Sequence, residues 1–202
     1  YKAGGFTWKI ETDQSEEGAY ENSDLLISNK VTGHSYAAQK AGTSTNLVFK
    51  HILSKLTINL VGKTTFAEGE FVPEDVTILG IKTSINVKVA DVNGEVTYEN
   101  APNAENKPIK PLEGTSEGPR NLKYEAIVIP GQTIAAGEFI TFKMKLGTSE
   151  NTYTAKLPIN LTFKAGKEHV FTITVDKVGV SVVTVTLQDW LSGGDPVEDQ
   201  IN

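Results

Sequence analysis

Three histidines, a few adjacent acidic residues and a Ser-Gly-Gly triplet are the parts of this chain whose residue types could carry chemistry. Clustered histidines hold zinc or move protons. His34, His51 and His169 lie far apart, with neither the H-x-H nor the H-E-x-x-H spacing that would place two on one metal. His51 falls in the inward register of an apolar-polar alternation, which favours a core histidine satisfied by a backbone partner over a ligand. His169 follows Gly166-Lys167-Glu168 and reads as a turn histidine at the opening of a strand. Neighbouring acids such as Glu16-Glu17 and Glu74-Asp75 point to opposite faces of a strand, and no D-x-D-x-D-G loop gathers oxygens for calcium. Asp195 and Asp199 fall in the tail. Ser192-Gly193-Gly194 lacks the strand-Gly-x-Ser-x-Gly-helix setting of a nucleophile elbow and reads as a flexible break. Trp8, Tyr20, Tyr36, Tyr98 and Tyr124 could stack on sugars, but they are scattered, and core packing or isolated exposure is the simpler account. The residues imply no catalytic centre, no metal site and no cofactor.

Composition narrows the classes further. The 202 residues, 39% of them hydrophobic, suffice for one generous domain or two small ones. With no cysteine, disulfides, thiolate metal sites and a cysteine nucleophile are excluded. A net charge of −6, with Arg120 the single arginine and no basic stripe, argues against nucleic acid, which needs clustered cations. No apolar run approaches the roughly 20 residues of a membrane helix. The chain opens on Tyr1 and its only methionine is Met144, so position 1 reads as a processed or cloned start, with any targeting or lipidation signal upstream.

The elements that must position these side chains are strands. Period-2 alternation recurs almost everywhere, bounded by Gly, Pro, Asn and Asp, and helical periodicity is nearly absent. The most informative run is Asn46 to Val61. Phe49, His51 and Leu53 take odd positions, whereas Leu56, Ile58 and Leu60 take even ones. A one-residue slip turns every side chain over, so Ser54-Lys55 is a predicted bulge or sheet crossing in one long strand. The last strand, Val180 to Trp190, changes parity between Val182 and Val183. Long kinked strands at both ends, with short strands between, predict an all-β, two-sheet β-sandwich.

Between them, Asn93-Gly94 predicts a type I′ hairpin. The proline-rich stretch Asn100 to Asn121 predicts an exposed excursion rather than a central strand. Phe139 to Leu146 is expected to turn Ile140, Phe142, Met144 and Leu146 inward. Tyr153 to Phe163 is expected to carry Leu157, Ile159, Leu161 and Phe163 on one side, with Pro158 demanding an edge or a break. Residues 30 to 46, rich in Gly, Ser, Thr, Ala and Asn, read as a linker or long loop.

Five pieces resemble one family, in order along the chain. Phe49-Lys50-His51-Ile52-Leu53-Ser54-Lys55-Leu56 resembles the F-x-H-x-L-S-K-L strand of the fimbrillin-like proteins of Bacteroides-type bacteria, the subunits and accessory proteins of lipoprotein-derived type V pili. Ser23-Asp24-Leu25-Leu26 resembles the family's S-D-L-L element. Ile127-Val128-Ile129-Pro130-Gly131-Gln132 is similar to its apolar-P-x-Q segment, and Phe163 to Phe171 to its F-x-A-G-x-x-Y-x-Y strand opening. Leu187-Gln188-Asp189-Trp190 is similar to its closing I-x-x-W. His169 and Phe171 stand where the family usually has tyrosines. A whole N-terminal domain and a lipobox cysteine usually precede the S-D-L-L element, yet only about 45 residues precede the long strand here. Residues 1–45 therefore read as the remnant of an N-terminal domain or an extended arm with its linker, 46–192 as the C-terminal sandwich, and 193–202 as a flexible tail.

The resemblance implies a transthyretin-like sandwich, export as a lipoprotein precursor to the cell surface, outer membrane or fimbrium, and a non-enzymatic role as pilus subunit, tip or accessory component. It implies other pilus subunits as partners, and host or bacterial surface ligands. Any membrane attachment would run through an upstream lipid anchor absent from this chain. Assembly in such a scheme is by strand exchange, for which an open sheet edge is the physical template. Val180, Val182, Val183, Val185, Leu187 and Trp190 are then the candidate donor-strand residues. An ordinary strand paired within its own sandwich fits the same alternation. A glycan-binding module of a carbohydrate-uptake system is the competing reading, and would require a contiguous exposed aromatic platform.

Overall fold

The structure is a computed structural model and describes residues 5–28, 48–89, 96–101 and 104–190. In it the long alternation divides into two strands belonging to different sheets. β3 (Phe49–His51) pairs with β2 (Leu26–Ser28), while β4 (Ser54–Gly62) enters a five-stranded sheet. The parity change arises at Ile52 and Leu53, two consecutive side chains that both enter the core as the chain passes between sheets. The crossing thus sits just before Ser54-Lys55, and Phe49, expected inward, is 51% exposed.

The five-stranded sheet runs β16 (Gly179–Asp189), β15 (Lys167–Asp176), β4, β10 (Asn121–Val128), β9 (Leu112–Glu113). Every neighbour pair is antiparallel except β4 and β15, which run parallel. A four-stranded sheet runs β13 (Ser149–Leu157), β12 (Gly137–Leu146), β5 (Glu74–Lys82), β8 (Asn106–Ile109). Leu56, Ile58 and Leu60 of β4 and Phe171, Ile173 and Val175 of β15 share one core with Ile78, Phe139, Ile140, Phe142 and Met144 of the other sheet. The rings of Phe139 and Phe171, one from each sheet, lie 5.3 Å apart, so the two sheets face each other as a sandwich.

Smaller pieces close the ends. β1 (Phe6–Lys9), β6 (Ser84–Val89) and β7 (Val96–Asn100) make a three-stranded sheet. Its β6–β7 ladder closes at Val89 opposite Val96, with the Asn-Gly pair beyond the described residues. β11 (Thr133–Ile134) pairs with β14 (Leu161–Thr162), and the short helix α1 (Ala19–Ser23) packs near β10. Ile10 joins the common core, and Gln14 is fully buried with its amide bonded to both the N–H and the carbonyl of Ile127.

Irregularities fall where the residues demand them. β5 changes parity between Ile78 and Ile81 around Gly80, whose φ of +74° suits a bulge that a side chain would strain. Opposite β16, Thr174 faces Val182 and Val175 faces Val180, so Ser181 is the extra residue behind the second parity switch. Pro158 ends β13, as its missing N–H requires. Beyond it Ile159 is 72% exposed instead of facing inward, while Leu157 and Phe163 are buried. The proline-rich stretch is not merely an excursion. It supplies two edge strands, β8 and β9, and Ile109 is fully buried beside Pro108, which an edge strand tolerates.

Candidate functional site

β16 is eleven residues long and forms one edge of the five-stranded sheet, with no strand on its outer side among the described residues. From Gly179 to Gln188 it carries no charge and no proline. Natural edges are usually blunted by charges, prolines or bulges, and here only the Ser181 bulge does so. The edge of the facing sheet, β13, is charged by Glu150 and Lys156. Val180, Val183 and Val185 of β16 are half-buried against the core, and Leu187 is 44% exposed. The side chain of Val182 lies outside the described set. Trp190 follows the strand and is half-buried.

The two sheet edges are tied at one end and apart at the other. The Tyr153 hydroxyl donates to the Lys177 carbonyl at 2.9 Å, joining β13 to the β15–β16 turn. Where Pro158 ends β13, a groove of about 450 Å³ opens between Leu157, Ile159 and Leu161 on one side and Val185 and Leu187 on the other. Its size and apolar lining suit a few aliphatic side chains.

His169 also lines this groove. It is no turn residue: it is buried in the inward row of β15, its Nε2 accepts the Lys164 N–H at 3.1 Å, and Phe163 meets it edge-on. Burial, helped by the charge of Lys164, pushes its pKa down to about 4, so the ring is neutral at physiological pH.

Four of the sequence motifs converge at the end of β16. The His51 ring stacks on Trp190 with centroids 3.8 Å apart and planes 9° apart. His51 Nδ1 lies 2.7 Å from Asp24 Oδ2, while the other Asp24 oxygen accepts the Leu25 N–H. The Trp190 N–H donates to the Gly166 carbonyl at 3.2 Å, and the Gly166 N–H to that of Leu53 at 2.7 Å. His51 is therefore half-buried at the sheet crossing, with a carboxylate and an indole as partners in place of the backbone partner of a core histidine. Sequence spacing could not show this pairing, because the four residues come from four separate segments. Gly166 is needed twice over: its φ is +64°, and a Cβ there would lie 3.2 Å from the His51 carbonyl. Gly166→Ala is expected to cost about 1–2 kcal/mol in urea unfolding.

The face of the sheet away from the shared core carries a partly buried polar ladder from β10 to β16. Lys123 and Lys55 lie 2.7 and 2.8 Å from Glu125 Oε1, Thr57 donates to Glu168 at 2.5 Å, and Gln188 donates to its other oxygen at 2.7 Å. Burial raises both carboxyl pKa values. The lysines at Glu125, and Thr57, Gln188 and Lys55 at Glu168, outweigh it and hold both below the usual range.

The aromatic candidates do not assemble. The Trp8 indole donates to the Ser23 carbonyl, the Tyr98 hydroxyl donates to that of Ile52, Tyr124 is buried and Tyr20 is half-buried, so they form no exposed platform. Tyr36 and His34 lie outside the described residues, as do Asp195 and Asp199. Among the described residues no three His, Asp or Glu side chains gather to hold a metal.

Two solved structures share this architecture. A candidate cell adhesion protein from Bacteroides uniformis superposes with a TM-score of 0.64 at 24% identity, over 94% of this chain and 68% of its own. One from Bacteroides ovatus gives 0.64 at 12% identity, over 94% and 61%. The chain thus spans roughly two-thirds of their length. No curated protein matches the sequence. The profile of the fimbrillin-like family matches residues 1–190, nearly the whole chain, and the protein belongs to that family.

Proposed function

We propose that this protein is a non-enzymatic structural or adhesive subunit of a cell-surface fimbrial assembly, in which β16 and its groove form the joint between subunits by strand exchange. Family membership supports the fimbrial role. The observation that carries the joint is the coincidence of two features: an edge strand that carries neither charge nor proline from Gly179 to Gln188, and an apolar groove beside Val185 and Leu187. An edge supplies unpaired N–H and C=O groups for a ladder, and a groove gives alternate side chains a dry seat, which is what an added strand needs. The partners are other subunits of the same assembly, delivered to the surface as lipoprotein precursors.

The test uses the precursor that contains this chain, cleaved by a trypsin-like protease and viewed by electron microscopy. Polymers are expected. The double variant Thr184→Lys/Thr186→Lys places two charges on the edge strand and leaves the inward row untouched. It is expected to cut polymer yield by about tenfold or more while the monomer stays folded, because edge lysines oppose added strands. Cleaved material that remains monomeric and is retained on a glycan array would overturn the reading in favour of carbohydrate binding.

A further inference from the structure

The geometry points to a clasp: the Asp24–His51–Trp190 stack holds down the C-terminal third of β16, and that third opens as a unit separate from the rest of the sheet. The strand itself explains why an anchor is needed. From Thr186 to Asp189 all four side chains are exposed, because Thr186 and Leu187 border the open groove and Gln188 lies at the surface. Beyond its ladder to β15, this stretch has the Gln188–Glu168 hydrogen bond and the Lys167–Asp189 ion pair, both at the surface. Exposed pairs of this kind contribute little. Trp190 is the first side chain after Val185 to regain cover, and its cover is the His51 ring.

The other half of the clasp is held firmly. Asp24 is fixed by the Leu25 N–H on one oxygen and faces His51 with the other. Ile52, next to His51, donates to the Leu25 carbonyl at 3.1 Å and accepts from the Tyr98 hydroxyl. The ring that Trp190 stacks on is thus anchored from the N-terminal segment and from β7, elements that do not belong to the sheet of β16. Losing the stack leaves the strand end attached by its ladder, the Trp190 backbone N–H to Gly166 and the two surface pairs, and segments with few buried contacts open at low free energy.

For assembly, the clasp would decide when the end of β16 is available to a partner. That consequence rests on the joint proposed above, whereas the opening itself does not. Hydrogen exchange followed by mass spectrometry on the whole chain separates the two, since a chain that never polymerises still reports the clasp. Trp190→Ala is expected to speed exchange of residues 186–190 by about tenfold or more, with residues 54–62 of β4 unchanged. Asp24→Asn keeps the fold in case the alanine variant does not, and is expected to speed the same segment by about threefold. Trp190→Phe retains a ring for His51 and is expected to stay within about twofold of the parent. Unchanged exchange at 186–190 in both Trp190→Ala and Asp24→Asn, or a rise shared equally with 54–62, would overturn the clasp.

Discussion

Gln14→Leu is expected to destabilise the protein by about 3 kcal/mol, among the largest effects of any single change outside the apolar core. Gln14 is fully buried. Its Nε2 donates to the Ile127 carbonyl at 2.9 Å and to the Glu11 carbonyl at 3.2 Å, and its Oε1 accepts the Ile127 N–H at 2.7 Å. The side-chain amide thus acts as one residue of a missing strand beside β10. Leucine fills the volume yet orphans both polar groups of Ile127, and each buried group left unpaired costs about 1–3 kcal/mol. Urea unfolding measures the loss. Gln14→Glu gives a second reading, since a carboxylate accepts the Ile127 N–H but cannot donate to its carbonyl. A loss below about 0.5 kcal/mol in both variants, the range of ordinary surface substitutions, would show that these bonds do not hold the N-terminal segment to the sheet.

The second large effect is a pH dependence. His169 has its pKa pushed down to about 4 in the folded protein, against about 6.5 when unfolded. Between those values the unfolded chain binds the extra proton, so stability rises with pH there and is lost as pH falls. Well above about pH 6.5 the residue contributes nothing to the slope. Across the whole window the loss is on the order of 3 kcal/mol. His169→Phe should remove it: between pH 6.5 and 5 the parent loses about 1.5 kcal/mol in total more than the variant. Glu125 and Glu168, whose folded pKa values are lowered, act in the same direction but below their unfolded values, at more acid pH. Parallel stability curves for the two proteins from pH 6.5 to 5 would refute the assignment.

These two residues also mark what a sequence can and cannot disclose. Period-2 alternation placed Ile140, Phe142 and Met144 inside because their partners lie on the same or the next strand, where local pattern and burial coincide. The parity switches at both ends of the chain were legible for the same reason, and each has a physical cause, a passage between sheets and a bulge at Ser181. Gln14 was invisible. Its partner lies 113 residues away and no alternation surrounds it. Ile159 was misplaced because the alternation was carried across Pro158, where the strand stops. Of the proposed joint, the strand stood out in the sequence, whereas the groove beside it depends on where β13 ends relative to β16, a relation that no local pattern encodes.

The parallel pairing of β4 with β15 has a consequence for how the chain reaches this state. Thr57 and Glu168, which meet across that pair, are 111 residues apart in sequence. The centre of the five-stranded sheet therefore closes only after most of the polypeptide is present, and closing so long a loop draws on chain entropy before any of the interior rewards it. Such topologies fold slowly, on the order of milliseconds to seconds, in contrast to bundles built from near neighbours. A nascent chain stays open there until β15, more than a hundred residues after β4, arrives. That interval, when β4 has a vacant flank, is when a holding factor would serve it best.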